Sequence, residues 1–152
     1  MNIEHVASGS MSELFTDVDN DEDYAVAPWD IHGWEHLYIV VDIDSAQIVR
    51  DIDGATPEEA LRNWLEHGQG AVCRLMTVYH NGTPIDRLDR PGCDTEYKVR
   101  GIPIVCTVKR GATPFEWRLS EDGSDKWTII QAGSPAEAVL EYITKKEGEH
   151  NA

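Results

Sequence analysis

At 152 residues, with 41% hydrophobic side chains and a net charge of −15, the chain is long enough to bury a real core. It contains no apolar stretch near the roughly 18–20 residues of a membrane span. Its start, Met1-Asn2-Ile3-Glu4-His5, has neither the basic nor the apolar region of a signal peptide, so a cytoplasmic location is expected.

The acid is unevenly placed. Residues 1–60 hold 15 acidic side chains against one basic, Arg50, whereas residues 61–152 hold 13 against 12. Nucleic-acid phosphates and anionic membranes repel such a surface, and the expected partner is a basic protein surface.

Residues 1–28 show no clear periodicity and read as a flexible acidic leader. Asp17-Val18-Asp19-Asn20-Asp21 opens like a calcium loop. Glu22 stands where such a loop needs Gly, and Pro28 where it needs its closing Glu. Asp17, Asp19, Asp21 and Asp23 therefore stay as candidates for partner contact rather than as ion ligands.

A single α+β domain is expected over 29–147, with a disordered tail at 148–152. At its start, His32-Gly33-Trp34-Glu35-His36 spaces two histidines four apart, a zinc spacing on a helix. Gly33 and the strand that follows argue against a helix, and no third ligand is evident, so His32 and His36 are weak metal candidates.

Leu37–Ile43 and Gln47–Ile52 read as a hairpin. Leu37, Ile39, Val41 and Ile43 share one parity, and Ile48 and Ile52 share one face of the second strand. If these faces form the core, Asp42, Asp44, Asp51 and Asp53 line the outer face as a carboxylate ridge, with Arg50 left on the core side. Alternate residues on a strand stand roughly 6.6 Å apart, so two decorated strands approach the charge spacing of a nucleic-acid strand. Glu58 and Glu59, which follow, extend the ridge.

Thr56-Pro57-Glu58-Glu59-Ala60-Leu61 starts a helix with a capping box, and Ser134-Pro135-Ala136-Glu137-Ala138-Val139 repeats the pattern 78 residues later. Strands are expected between them at Val72–Tyr79, Ile85–Leu88, Tyr97–Arg100 and Ile102–Val108, and a second hairpin at Phe115–Leu119 and Lys126–Ile130. The half-units 36–68 and 114–147 thus look alike, through duplication or through two uses of a good helix start. The fold class is α+β: a mainly antiparallel sheet of about six to eight strands with two helices on one face.

Three cysteines without CxxC spacing argue against a disulfide framework; Cys73 and Cys106 lie in strand-like runs and Cys93 in a turn. No phosphate-binding loop, dinucleotide fingerprint or nucleophile elbow is present, and no cofactor is implied. The basic residues Arg87, Arg90, Lys98, Arg100, Lys109 and Arg110 are interrupted by Asp86, Asp89, Asp94 and Glu96.

The functional expectation is a non-enzymatic acidic protein-binding domain, in its sharpest form a nucleic-acid-mimicking inhibitor of the phage counter-defence kind. The alternatives are a regulatory or small-ligand-binding domain with its cleft between the half-units, and a metal-dependent enzyme using His32 and His36.

Overall fold

The computed structural model describes residues 1–29, 33–121 and 124–150. The chain divides into two compact units, Met1–Cys73 and Arg74–Ala152, each with its own antiparallel sheet and helix. Two sheets thus stand where one was expected from the sequence. Among the described residues no helix is long and apolar enough to cross a membrane.

The first unit is a five-stranded meander, β1 (Ile3–Ser8), β2 (Glu13–Asp17), β3 (Glu22–Pro28), β4 (Leu37–Asp42) and β5 (Gln47–Asp53), followed by helix α1 (Pro57–His67). Residues 3–28, expected to be flexible, supply three of these strands. Phe15, Tyr24 and Val26 are buried, but the strands are short and lie between acid-rich turns, so no apolar run is long enough to stand out.

The second unit is a six-stranded meander, β6 (Arg74–His80), β7 (Thr83–Asp89), β8 (Glu96–Val99), β9 (Val105–Arg110), β10 (Glu116–Glu121) and β11 (Thr128–Gln131), followed by α2 (Pro135–His150). The described strands therefore number eleven in two sheets, not six to eight in one. Helix α2 continues to His150, three residues into the expected tail.

Each helix starts and packs for the same local reasons. Thr56 Oγ1 accepts from the Glu59 amide at 3.2 Å, and Ser134 Oγ accepts from the Glu137 amide at 3.2 Å. Pro57 occupies the first turn, where its missing N–H costs nothing. Ala60 and Leu61 are fully buried against Phe15, Tyr24, Val26, Val40 and Ile52. Ala138 and Val139 are fully buried against Ile85, Cys106, Leu119 and Ile130.

The hairpins before the helices match as well. Tyr38 faces Ile52 and Trp117 faces Ile130 across their strand pairs. The Gly54 amide donates to His36 O at 3.2 Å, and the Ala132 amide donates to Phe115 O at 2.9 Å.

Candidate functional site: the acidic turn end of the first sheet

Two hairpin turns of the first sheet carry the same sequence tetrad, Asp17-Val18-Asp19-Asn20 and Asp42-Ile43-Asp44-Ser45. In each, the leading aspartate folds its carboxylate back over the turn. Asp42 Oδ1 accepts from the amides of Asp44 at 3.1 Å and Ser45 at 3.3 Å. Asp17 Oδ1 accepts from the Asp19 amide at 3.2 Å and its Oδ2 accepts from Asn20 Nδ2 at 2.8 Å. These are Asx turns, and they explain why Asp17 and Asp42 are buried despite their charge. The Asn20 hydrogen bond, ahead of the amides of Asn2 and Asp19, holds the Asp17 carboxyl below its ordinary range.

The two turns abut. The Ile43 amide donates to Asp23 O at 3.0 Å, and the Asp23 amide donates to Asp44 Oδ2 at 2.9 Å. Asp19, Asp21, Asp23 and Asp44 are consequently exposed together at one end of the sheet. The N-terminal ammonium lies 3.3 Å from Asp19 Oδ2. Just inside this end, Tyr24 donates to Glu22 Oε2. Burial first, then that bond, then the charges of Glu22, Asp42 and Asp17 raise the phenol far above its ordinary pKa, so it stays a donor. The leader acids and the hairpin acids, distant in sequence, thus form one cluster. The repeated Asp-x-Asp-[Asn/Ser] tetrad is the sequence signal that marks both turns.

The carboxylate ridge expected along β4 and β5 is not there. The parity is reversed: Val40 is fully buried on the α1 side, while Ile43 and Ile48 are 50% and 56% exposed. Strand β4 is apolar on both faces, so its alternation does not decide which face is core. The register decides it. A bulge sets Tyr38 opposite Ile52 but Val40 opposite Val49, leaving two residues, Arg50 and Asp51, across from the single Ile39. One added residue moves Ile48 to the opposite face from Ile52. Asp51 adopts φ +58° in this bulge. Arg50 is exposed, not on the core side, with its guanidinium 5.3 Å from the centre of the Trp29 ring.

The ridge residues are therefore scattered. Asp42 is an inward turn cap and Asp44 belongs to the exposed cluster. Asp51 and Asp53 are half-buried at the far end of β5. Burial raises the Asp51 carboxyl above its ordinary range, against the opposing charge of Arg50. Glu58 and Glu59 are exposed in the first turn of α1, where their charge complements the helix dipole. Glu58 Oε2 lies 3.9 Å from Arg62 Nε.

Other candidates fare less well. His32 lies outside the described residues. His36 is exposed at φ +63°, its Nε2 3.9 Å from Glu35 Oε2. Among the described residues no group of three His, Cys, Asp or Glu is placed to hold a metal ion. Cys73 and Cys106 are buried and Cys93 is exposed. In the second unit four of the six residues of the basic stretch pair with its own acids: Arg87–Asp89 at 3.3 Å, Arg90–Glu96 at 2.8 Å, Arg100–Asp86 at 2.9 Å and Lys109–Asp94 at 3.2 Å.

One constellation has no counterpart in the sequence reading. His5, Ser8 and Glu13 meet across β1 and β2, beside a groove of about 340 Å³ at the start of α1. His5 Nε2 lies 2.6 Å from Glu13 Oε2 and 3.2 Å from Ser8 Oγ, and Ser8 Oγ donates to Glu13 Oε2 at 2.6 Å. A serine–histidine–carboxylate relay needs the two ring nitrogens to serve different partners. Here one nitrogen meets both, and the hydroxyl donates directly to the acid. The trio clasps two strands and does not activate a nucleophile.

Comparison with protein-family models, with curated proteins and with solved structures finds no match to this chain.

Proposed function

We propose that this is a non-enzymatic acidic binding domain that docks the turn end of its first sheet onto a basic protein surface. One observation carries the reading: Asp19, Asp21, Asp23 and Asp44 stand exposed on two abutting turns. They belong to a unit with 16 acidic and two basic side chains. Concentrated exposed charge speeds encounter with an opposite surface and is screened over about 8–10 Å at physiological salt. The sharper form of the proposal is that the basic surface is the phosphate-binding site of a nucleic-acid-binding protein, whose function the domain inhibits, as a phage counter-defence protein does. Without the ridge, this form rests on the turn cluster and not on a regular charge spacing along β4 and β5.

The test is affinity capture from the native host with wild type and with the variant Asp19→Asn/Asp21→Asn/Asp23→Asn/Asp44→Asn. Nucleic-acid-binding proteins enriched at low salt, and lost both at high salt and with the variant, support the proposal. Capture that neither salt nor the variant changes overturns it.

A further inference from the structure

The first sheet has two faces, and its own helix covers one. On the other face, strand alternation places Leu14 of β2, Ala25 and Ala27 of β3, Ile39 and Val41 of β4 and Ile48 of β5. None of these six is buried, whereas Leu37, at the start of the same face of β4, is, so the open part of the face lies toward the turn end. Leu14, Ala25, Val41 and Ile48 lie directly across from one another in register, and Ala7 of β1 continues the row. Five strands span about 19 Å at the usual inter-strand spacing. The two alanines form a low floor on the central strand, walled by Leu14 on one side and by Ile39 and Val41 on the other.

The neighbouring row on the same face is polar and acidic. Glu4 lies opposite Thr16, and Thr16 opposite Asp23, with both acids exposed. Asp44 joins this row through the Asp23 amide. An apolar trough thus runs beside the acidic turn end.

We propose that this helix-free face receives a basic amphipathic helix from a partner protein, its apolar side on the alanine floor and its lysines or arginines against Glu4, Asp23 and Asp44. The charge selects this occupant. A second copy docked through the same unit sets net −14 against net −14, with two arginines on each against 16 acids, and an anionic lipid surface is repelled in the same way. A basic helix answers both features of the face. The layer logic also favours it, because a sheet with two apolar faces is completed by a helix on each. A helix about 10–12 Å wide approaches closely where the floor is alanine, and about 13 residues cross the 19 Å face. The proposal rests on the acidic docking reading only for the sign of the partner's charge.

The probe is a synthetic Leu/Lys peptide with its leucines at helical spacing, alongside a scrambled peptide of the same composition. The amphipathic peptide is expected to bind wild type about tenfold more tightly than the scramble. It should shift the amide signals of Ala25, Ala27 and Val41 in a ¹⁵N-labelled sample. The strand-compatible variant Val41→Thr/Ile48→Thr should lose that advantage. Equal binding of both peptides, or shifts confined to the α1 side, overturns the proposal, and the wild-type shift map decides even if the variant folds poorly. A dimer in sedimentation equilibrium that the Thr variant dissolves overturns it in favour of a second copy. The two readings separate cleanly. If the four-Asn variant loses both peptides equally, the acidic end stands and the trough falls; if it loses neither, the acidic reading itself fails.

Discussion

Gly54 sits where β5 hands over to α1, and replacing it with alanine should be costly because the helix backbone lies against it. A Cβ built there lies 2.5 Å from Ala60 N, 2.6 Å from its Cα and 2.8 Å from its Cβ. Ordinary contact needs about 3.5–4.0 Å. The obstacle is helix backbone, so no side chain can swing aside, and α1 must retreat by about 1 Å. That retreat loosens the fully buried Ala60 and Leu61 from the sheet. Overpacking of this kind costs about 1–3 kcal/mol, and a backbone obstacle puts Gly54→Ala at the upper end. With a urea m-value of about 2 kcal/mol/M, the midpoint should fall by about 1 M without a change in slope. The second unit provides the control. Ala132 occupies the matching place 78 residues on, and there the methyl group is accommodated and largely buried. Ala132→Gly should therefore cost at most about 1 kcal/mol, mainly from backbone entropy. If Gly54→Ala leaves the midpoint where it was, the close approach of α1 to β5 is wrong.

Removing either helix cap, by Thr56→Ala or Ser134→Ala, should cost about 1 kcal/mol each in urea unfolding; no loss at both sites contradicts the capping hydrogen bonds. Asp51→Asn should be more stable than wild type at pH 7. Burial raises the native carboxyl, so the native state holds its proton to higher pH than the unfolded chain, and wild-type stability falls as pH rises through that interval. The variant's advantage should vanish toward about pH 4 in a thermal-unfolding series; an advantage that grows as pH falls refutes the reasoning. Of three cysteines, only exposed Cys93 should react rapidly with a thiol reagent in the native state. Cys106 is the most protected, its thiol pushed up to about 12 by burial. Two or three fast thiols before denaturation contradict the fold.

Both helices and the hairpins before them were legible in the sequence, because capping boxes and apolar periodicity are local signals. Strands β1, β2 and β3 were not. Their core side is carried by single residues such as Phe15 and Tyr24, and acid-rich turns resemble disorder in composition. The orientation of the β4–β5 hairpin was also illegible. Leu37–Val41 is apolar at every position, and the bulge at Arg50–Asp51 reverses the parity with no glycine to announce it. That reversal moved the acidic site from a strand face to a strand end. The repeated Asp-x-Asp-[Asn/Ser] tetrad would have located it, since a leading aspartate that caps its own turn exposes the acid two positions on.

The most direct measurement is the salt dependence of association with a captured partner, followed by stopped flow for wild type and for the four-Asn variant of Asp19, Asp21, Asp23 and Asp44. Association of the wild type should slow steeply as salt rises, and the variant should start slow and respond weakly. Parallel salt slopes for the two proteins would show that the turn-end carboxylates do not meet the partner.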